Sequence, residues 1–309
     1  MDNATGEQHA AQGTHLRGVI LVLVAGTFWS IGGIVVRLIE QAQPWQIVFY
    51  RSLTLMLTLT VWIAYRHRGQ MGSAFRAAGG RAVIAGLCLS LGFTCWIFAL
   101  THTTVANALF LLTTQPFIAA ILGRLILRER VAPITWAAMT LALIGVAIMV
   151  NEGITLGAIW GDLLALAAAL SISSFTIALR SGKSTDMFPA VWWGGGFATL
   201  IAAVMLGAGA QSVWVSGWDL GLCTLLGMVQ VGFGLIAYTA GSRYLPAAEL
   251  TLLSLTEVLL GPIWVWIGVG EVPSRPTLFG GIIVLTAVVW RAGYDFRSAP
   301  PRSPAKEDR

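Results

Sequence analysis

The sequence predicts an all-α integral membrane protein of ten transmembrane helices, arranged as two inverted five-helix repeats. Three observations carry this. Of the 309 residues, 56% are hydrophobic and only 11% charged, with a mean hydropathy of +0.77, whereas soluble chains carry about 25% charged residues. The apolar residues fall into runs of roughly 20, the length that crosses a bilayer. And one stretch recurs: an offset of 142 positions carries Gln115 onto Glu257 and Glu129 onto Glu271 without a gap.

The predicted spans are 18–38, 45–65, 82–101, 104–123, 132–150, 157–179, 188–208, 219–241, 246–269 and 275–292. Residues 1–16 are polar and expected to be disordered. The first span contains Phe28 and Trp29 and has no Ala-x-Ala exit, so it reads as a retained helix rather than a cleaved signal. The second is interrupted by Arg51. The third and fourth lie in a stretch, 82–123, with no Asp, Glu, Lys or Arg, and form a hairpin turning at Thr101-His102-Thr103-Thr104. The tenth has the shortest charge-free core. The chain thus divides into 1–16, a first repeat at 17–151, a second at 157–293, and a tail at 294–309.

Charge sets the expected orientation. With the N-terminus in the cytoplasm, every Lys and Arg falls inside except Arg37, Arg275 and the mid-span Arg51. By the positive-inside rule both termini are cytoplasmic. The net charge of +5 then reports topology and not a nucleic-acid partner. The uncharged segment 209–218, with Trp214 and Trp218, belongs at the outer interface. Five spans per half is an odd number, so the second half enters the membrane upside down. Inverted repeats of this kind place a substrate site between them near the midplane. At the same offset Trp96 falls on Tyr238 and Phe93 on Leu235, and Gly18 and Gly161 open the first spans of the halves at nearly that spacing. The 35 glycines suit close helix packing. Cys88, Cys95 and Cys223 read as small buried hydrophobes.

These features resemble the drug/metabolite transporter superfamily in its ten-span form with two EamA-type repeats. The residues that carry the resemblance in the first half are Thr104-Val105-Ala106, Gln115-Pro116, Arg128-Glu129-Arg130 and Gly145-Val146. In the second half they are Gly161-Asp162-Leu163, Ala247-Ala248, Glu257 and Gly270-Glu271-Val272. They cover about residues 18–292. One departure concerns the ninth span, where the family often has Pro after the Glu; here Val258 follows and the proline is Pro262. The sequence is most similar to the bacterial branch typified by aromatic amino-acid exporters of the YddG type. That resemblance implies export of aromatic and other neutral amino acids across a bacterial inner membrane, by a monomer without a cofactor, through a cavity between the repeats. Proton antiport and facilitated diffusion both remain open.

The candidate substrate-binding residues follow from where polarity interrupts the spans. Glu257 sits mid-span, where a carboxylate is expensive unless paired, hydrated or protonated. It reads either as a site residue, meeting a substrate ammonium or cycling a proton, or as a strut to a neighbouring helix. Arg51 lies about two turns into the second span, and snorkelling or helix pairing is favoured there over binding a substrate carboxylate. Gln115 and Gln230 fall mid-span and either line a cavity or join helices. Asn107, nearer a span end, reads as packing. Ser30, Ser171 and Ser174 can bond back to their own helices. Trp29, Phe93, Trp96, Phe110 and Tyr238 occupy spans that the resemblance places around the cavity. Singly each reads as packing or as lipid-facing; together they would form an apolar pocket that stacks on an aromatic side chain. Glu129 and Glu271, at span ends, read as caps or gate contacts.

Other classes fit less well. None of His9, His15, His67 and His102 is mid-span, and Asp162 and Asp219 stand alone at span starts, so paired-carboxylate, zinc or Ser/His chemistry has no visible seat. No ring of charges or filter-like loop suggests a channel. Phosphorylated cargo calls for Arg/Lys clamps, and Arg51 is the one mid-span cation. The first span carries no acidic residue of the kind small multidrug pumps use for cationic drugs. The runner-up is a broad-specificity drug or metabolite exporter of the same superfamily.

Overall fold

The computed structural model describes residues 2–103, 105–151, 159–209, 212–270, 272 and 274–297. Among these, nine helices are long and apolar enough to cross a membrane, and Pro133–Met149 is a shorter apolar one. All ten predicted spans are thus present as helices. The first comprises α1 (Asp2–Ser30) and α2 (Gly32–Arg37), interrupted at Ile31. The polar start of the chain, expected to be disordered, is instead continuous with α1 from Asp2. The second span is α3 (Pro44–Arg66), unbroken by Arg51. Its N-terminus is capped by Gln43, whose N–H donates to Gln46 Oε1 at 2.7 Å. The third is α4 (Met71–His102), which begins before the predicted span and bends at Gly79, where φ is +58°. The fourth comprises α5 (Val105–Leu112), α6 (Gln115–Leu122) and a π-helical turn at Gly123–Leu127. The fifth to seventh are α7 (Pro133–Val150), α8 (Ile159–Ser181) and α9 (Phe188–Ala208). The eighth comprises α10 (Gly217–Leu225), a π-helical segment Leu226–Phe233 and α11 (Gly234–Gly241). The ninth comprises α12 (Ala247–Ser254) and α13 (Thr256–Val269), and the tenth is α14 (Arg275–Arg297).

The fourth and ninth spans break at the same place in their repeats. In the fourth, Thr113 and Thr114 separate α5 from α6, and Thr114 Oγ1 donates back to the Leu111 carbonyl at 2.6 Å. In the ninth, Leu255 separates α12 from α13, and Thr256 Oγ1 donates back to the Leu253 carbonyl at 2.7 Å. The 142-residue offset carries Thr114 onto Thr256 and Leu111 onto Leu253, so one hydroxyl back-bond marks both breaks. Pro116 lies in the first turn of α6, where its missing N–H costs least. Pro262 sits inside α13, which continues through it. The ninth span therefore breaks before Glu257, at Leu255, and not at its displaced proline.

The principal packings obey the same two-fold logic. The first span packs on the eighth and ninth, the second on the seventh and eighth, and the third on the sixth and seventh. The fourth packs on the sixth and ninth, and the fifth on the tenth. Exchanging the two halves returns the same set of partners. The fifth and tenth meet through small residues: a Cβ on Gly145 would come within 2.9 Å of the Gly280 carbonyl, so the backbones touch directly.

Candidate functional site

The break in the ninth span positions Glu257. It is the second residue of α13, about 18 Å of helix from that span's far end at a rise of 1.5 Å per residue. It is half-buried, and no described residue bonds or pairs with its carboxylate. The first span lies directly against it: a Cβ on Gly26 would be 3.4 Å from the Glu257 backbone nitrogen. One turn further along α1, the Trp29 ring packs on Tyr238 with centroids 5.2 Å apart. The Tyr238 hydroxyl is 2.8 Å from Thr176 Oγ1 of the sixth span. Gln230 Nε2 donates to the Trp29 carbonyl at 3.2 Å, while its Oε1 is buried with no donor facing it. Glu257, Trp29, Tyr238 and Gln230 are therefore neighbours, held by the first, eighth and ninth spans.

Arg51 fits one half of the favoured reading. It does not snorkel, being only 6% exposed, and it meets a neighbouring helix through an aromatic ring and not through an ion pair. Its guanidinium lies over the Phe93 ring, 4.7 Å from the centroid, and its Nε and Nη2 are buried without acceptors. Its helix meets the π-helical segment closely, since a Cβ on Gly227 would collide with the Arg51 carbonyl and Thr54. Gly227 is three residues from Gln230. The Arg51–Phe93 pair and the Gln230–Trp29 pair thus adjoin the same stretch of the eighth span.

The other candidates have different surroundings. Ser30 is a joint: its Oγ donates to the Thr27 carbonyl at 2.6 Å and accepts from Trp264 Nε1 at 2.7 Å, fastening the first span to the ninth. Gln115, the repeat partner of Glu257, is 7% exposed, and its carbonyl accepts from Ser173 Oγ at 3.1 Å. Trp96 and Phe110 make no ring contact with the other three aromatics; Trp96 packs against small aliphatic residues and Phe110 against the main core. The side chain of Asn107, and Glu271, lie outside the described residues. Thr114, Thr256, Thr176 and Trp264 escaped notice in the sequence, because hydroxyls and indoles are common in spans. Applying the repeat offset to threonines as well as to carboxylates would have found the first two.

The two ends are fastened differently. At the end rich in Lys and Arg, Glu129 accepts from Arg180 Nε at 3.0 Å and from the Ala247 N–H at 3.0 Å, and Arg180 Nη1 donates to the Ser242 carbonyl at 2.9 Å. Buried Glu249 pairs with Arg291 at 2.8 Å and His15 at 3.1 Å. Asp186 pairs with Arg66 at 2.9 Å and His67 at 3.1 Å. Each cluster ties the first half to the second. At the opposite end the fully buried Asp219 accepts from the N–H groups of Glu40, Gln41 and Ala42 at 3.0–3.1 Å. A cavity of about 520 Å³ opens beside it, lined by Gln41, Gln46, Ser212 and Trp214 among others. Among the described residues, no group of His, Cys, Asp and Glu is placed to hold a metal ion.

Comparison with known proteins agrees with this architecture. The EamA-like transporter family matches residues 16–151 and 159–291, one copy per half. The pseudopaline exporter CntI of Pseudomonas aeruginosa is 23% identical over 279 residues, covering 88% of this chain and 94% of the exporter. Human solute carrier family 35 member G1 is 22% identical over 293 residues, 89% of this chain and 78% of that one. The uncharacterized transporter YdfC of Bacillus subtilis is 28% identical over 186 residues, 59% and 60% of the two chains. A solved crystal structure superposes with a TM-score of 0.77 at 15% identity, over 92% of this chain and 99% of the other, which shows the fold. With both halves matched and the ten helices in place, the chain belongs to the EamA-like transporter family.

Proposed function

We propose that this transporter exports neutral amino acids, aromatic ones among them, across a bacterial inner membrane by alternating access. The observation that carries the reading is Glu257: a half-buried carboxylate without a partner, at mid-depth, beside the Trp29–Tyr238 pair. A carboxylate left unpaired at bilayer depth is costly, and such groups mark substrate and ion pathways. An ammonium group would satisfy it, and the aromatic pair offers a surface for an apolar or aromatic side chain.

In this reading both termini are cytoplasmic, the chain is a monomer, its cargo is a free amino acid, and no cofactor takes part. Five spans per half make the repeats inverted, and the contact symmetry of the halves supports that relation. The clusters at Glu129, Glu249 and Asp186 close the cytoplasmic end in this conformation and part when the chamber opens inward.

The test is counterflow of labelled phenylalanine, tryptophan and threonine in proteoliposomes of the purified protein. Exchange of at least one of the three is the expected result. Uptake of a cationic dye with no amino-acid flux overturns the reading. The name of the pseudopaline exporter favours a second reading, export of a metabolite other than a free neutral amino acid. Exchange confined to such a compound would select it.

A further inference from the structure

Arg51 is the buried charge that the Glu257-centred reading does not use. Two ordinary roles for a mid-span arginine are absent. A snorkelling side chain reaches the interface, but Arg51 is 6% exposed. A structural strut has its donors paired, yet Nε and Nη2 are buried without acceptors. No described residue accepts from any part of the guanidinium. What holds it is the Phe93 face, 4.7 Å away. Stacking of this kind fixes the guanidinium plane and leaves its in-plane N–H fork free. A buried unpaired cation is strongly disfavoured unless something completes it. The complement of a free Arg fork is a planar oxyanion bound through two parallel N–H···O bonds.

The surroundings narrow the anion to a carboxylate. Arg51 lies about 10 Å of helix below the outer start of α3, and Glu257 about 18 Å below the outer end of α13. Cation and anion are therefore at successive depths, with the orphan Gln230 Oε1 and the Trp29–Tyr238 pair on the Glu257 side. A single arginine balances one negative charge; a phosphate dianion would call for further cations. Resting on the exporter reading above, we infer that the Arg51–Phe93 pair is the carboxylate subsite of the chamber. The cargo class is then α-amino acids held at both charged ends, not amines in general. Arg51 sets the specificity for the acid group, and Glu257 with Gln230 Oε1 receives the ammonium.

Two measurements test this independently of each other. The first is thermal stabilisation of the detergent-purified protein by 3-phenylpropionate, 3-phenylpropionamide and phenyl phosphate. The carboxylate is expected to stabilise, the isosteric amide at least tenfold more weakly by half-saturating concentration, and Arg51→Gln to remove the difference. Equal effects of acid and amide on the wild type overturn the inference, as does stronger stabilisation by phenyl phosphate. The second is competition with labelled phenylalanine counterflow by phenylalaninamide. The amide is expected to compete at least tenfold more weakly than phenylalanine, and in Arg51→Lys, which keeps the charge but loses the fork, by less than about threefold. Competition by the amide equal to that by phenylalanine in the wild type overturns the carboxylate subsite while leaving amino-acid export standing. Absence of phenylalanine flux, with carboxylate binding still dependent on Arg51, overturns the cargo reading while leaving the subsite standing. If Arg51→Gln does not fold, the wild-type acid–amide comparison decides alone.

Discussion

Glu257 and its neighbours make opposite demands on substitution. Glu257→Gln keeps the shape and removes the negative charge. Flux of a transported amino acid is expected to fall at least tenfold, since one charge-assisted bond contributes about 1.5–3 kcal/mol. If Glu257 also exchanges a proton, the dependence of flux on pH flattens in the same variant. Flux measured from pH 5 to 8 reads both effects, and unchanged rate and slope would place Glu257 outside the pathway. Tyr238 behaves differently, because its hydroxyl is already spent on Thr176. Tyr238→Phe is expected to cost about 1 kcal/mol of stability, seen as a lowered melting temperature in detergent, while the ring contact with Trp29 and the flux persist. The sequence showed these residues unevenly. Glu257 and Gln230 stood out as polar groups inside apolar runs. The situation of Arg51 did not, because nothing along α3 announces that Phe93 of another span will lie beneath it. Ser30 was visible, but Trp264, which engages it, was one of many span tryptophans.

At the scale of elements, the paired breaks in the fourth and ninth spans organise the site. Each break is followed at once by a mid-depth polar group, Gln115 or Glu257, and each carries a threonine bonded back into the preceding turn. Proline was the visible signal of a break. It was right for the fourth span and displaced in the ninth, where the backbone turns at Leu255 and α13 runs on through Pro262. The Lys- and Arg-rich ends of these spans meet at Glu129, which binds Arg180 and the first turn of α12. Glu129→Gln is expected to loosen this end by on the order of 2 kcal/mol. A cysteine placed at Ala247, fully buried beside it, is then expected to react faster with a thiol reagent applied from the cytoplasmic side. Equal rates with and without Glu129 would deny that it is a gate contact. Packing between the fifth and tenth spans sets a separate limit. Gly280→Val drives a branched side chain into the Gly145 backbone and is expected to cost about 1–3 kcal/mol in detergent melting, without altering cargo preference.

For the whole molecule, the repeat offset and the span lengths made the number and order of helices readable from sequence, because bilayer thickness and hydropathy act on each span alone. The partnership of spans was not readable, since it depends on which small residues meet across halves. The packing that survives exchange of the halves gives the chain two related bodies. Closure at one end by ion pairs between those bodies fits alternation between two states. Transport between the repeats requires that Glu257 face a water-filled chamber that cargo occupies. The direct measurement is reaction of Glu257→Cys, with Cys88, Cys95 and Cys223 replaced by serine, with a charged, membrane-impermeant thiol reagent in the presence and absence of a transported amino acid. Labelling that the amino acid slows several-fold is the expected result. A thiol that labels from neither side, or labels at a rate indifferent to cargo, would contradict it.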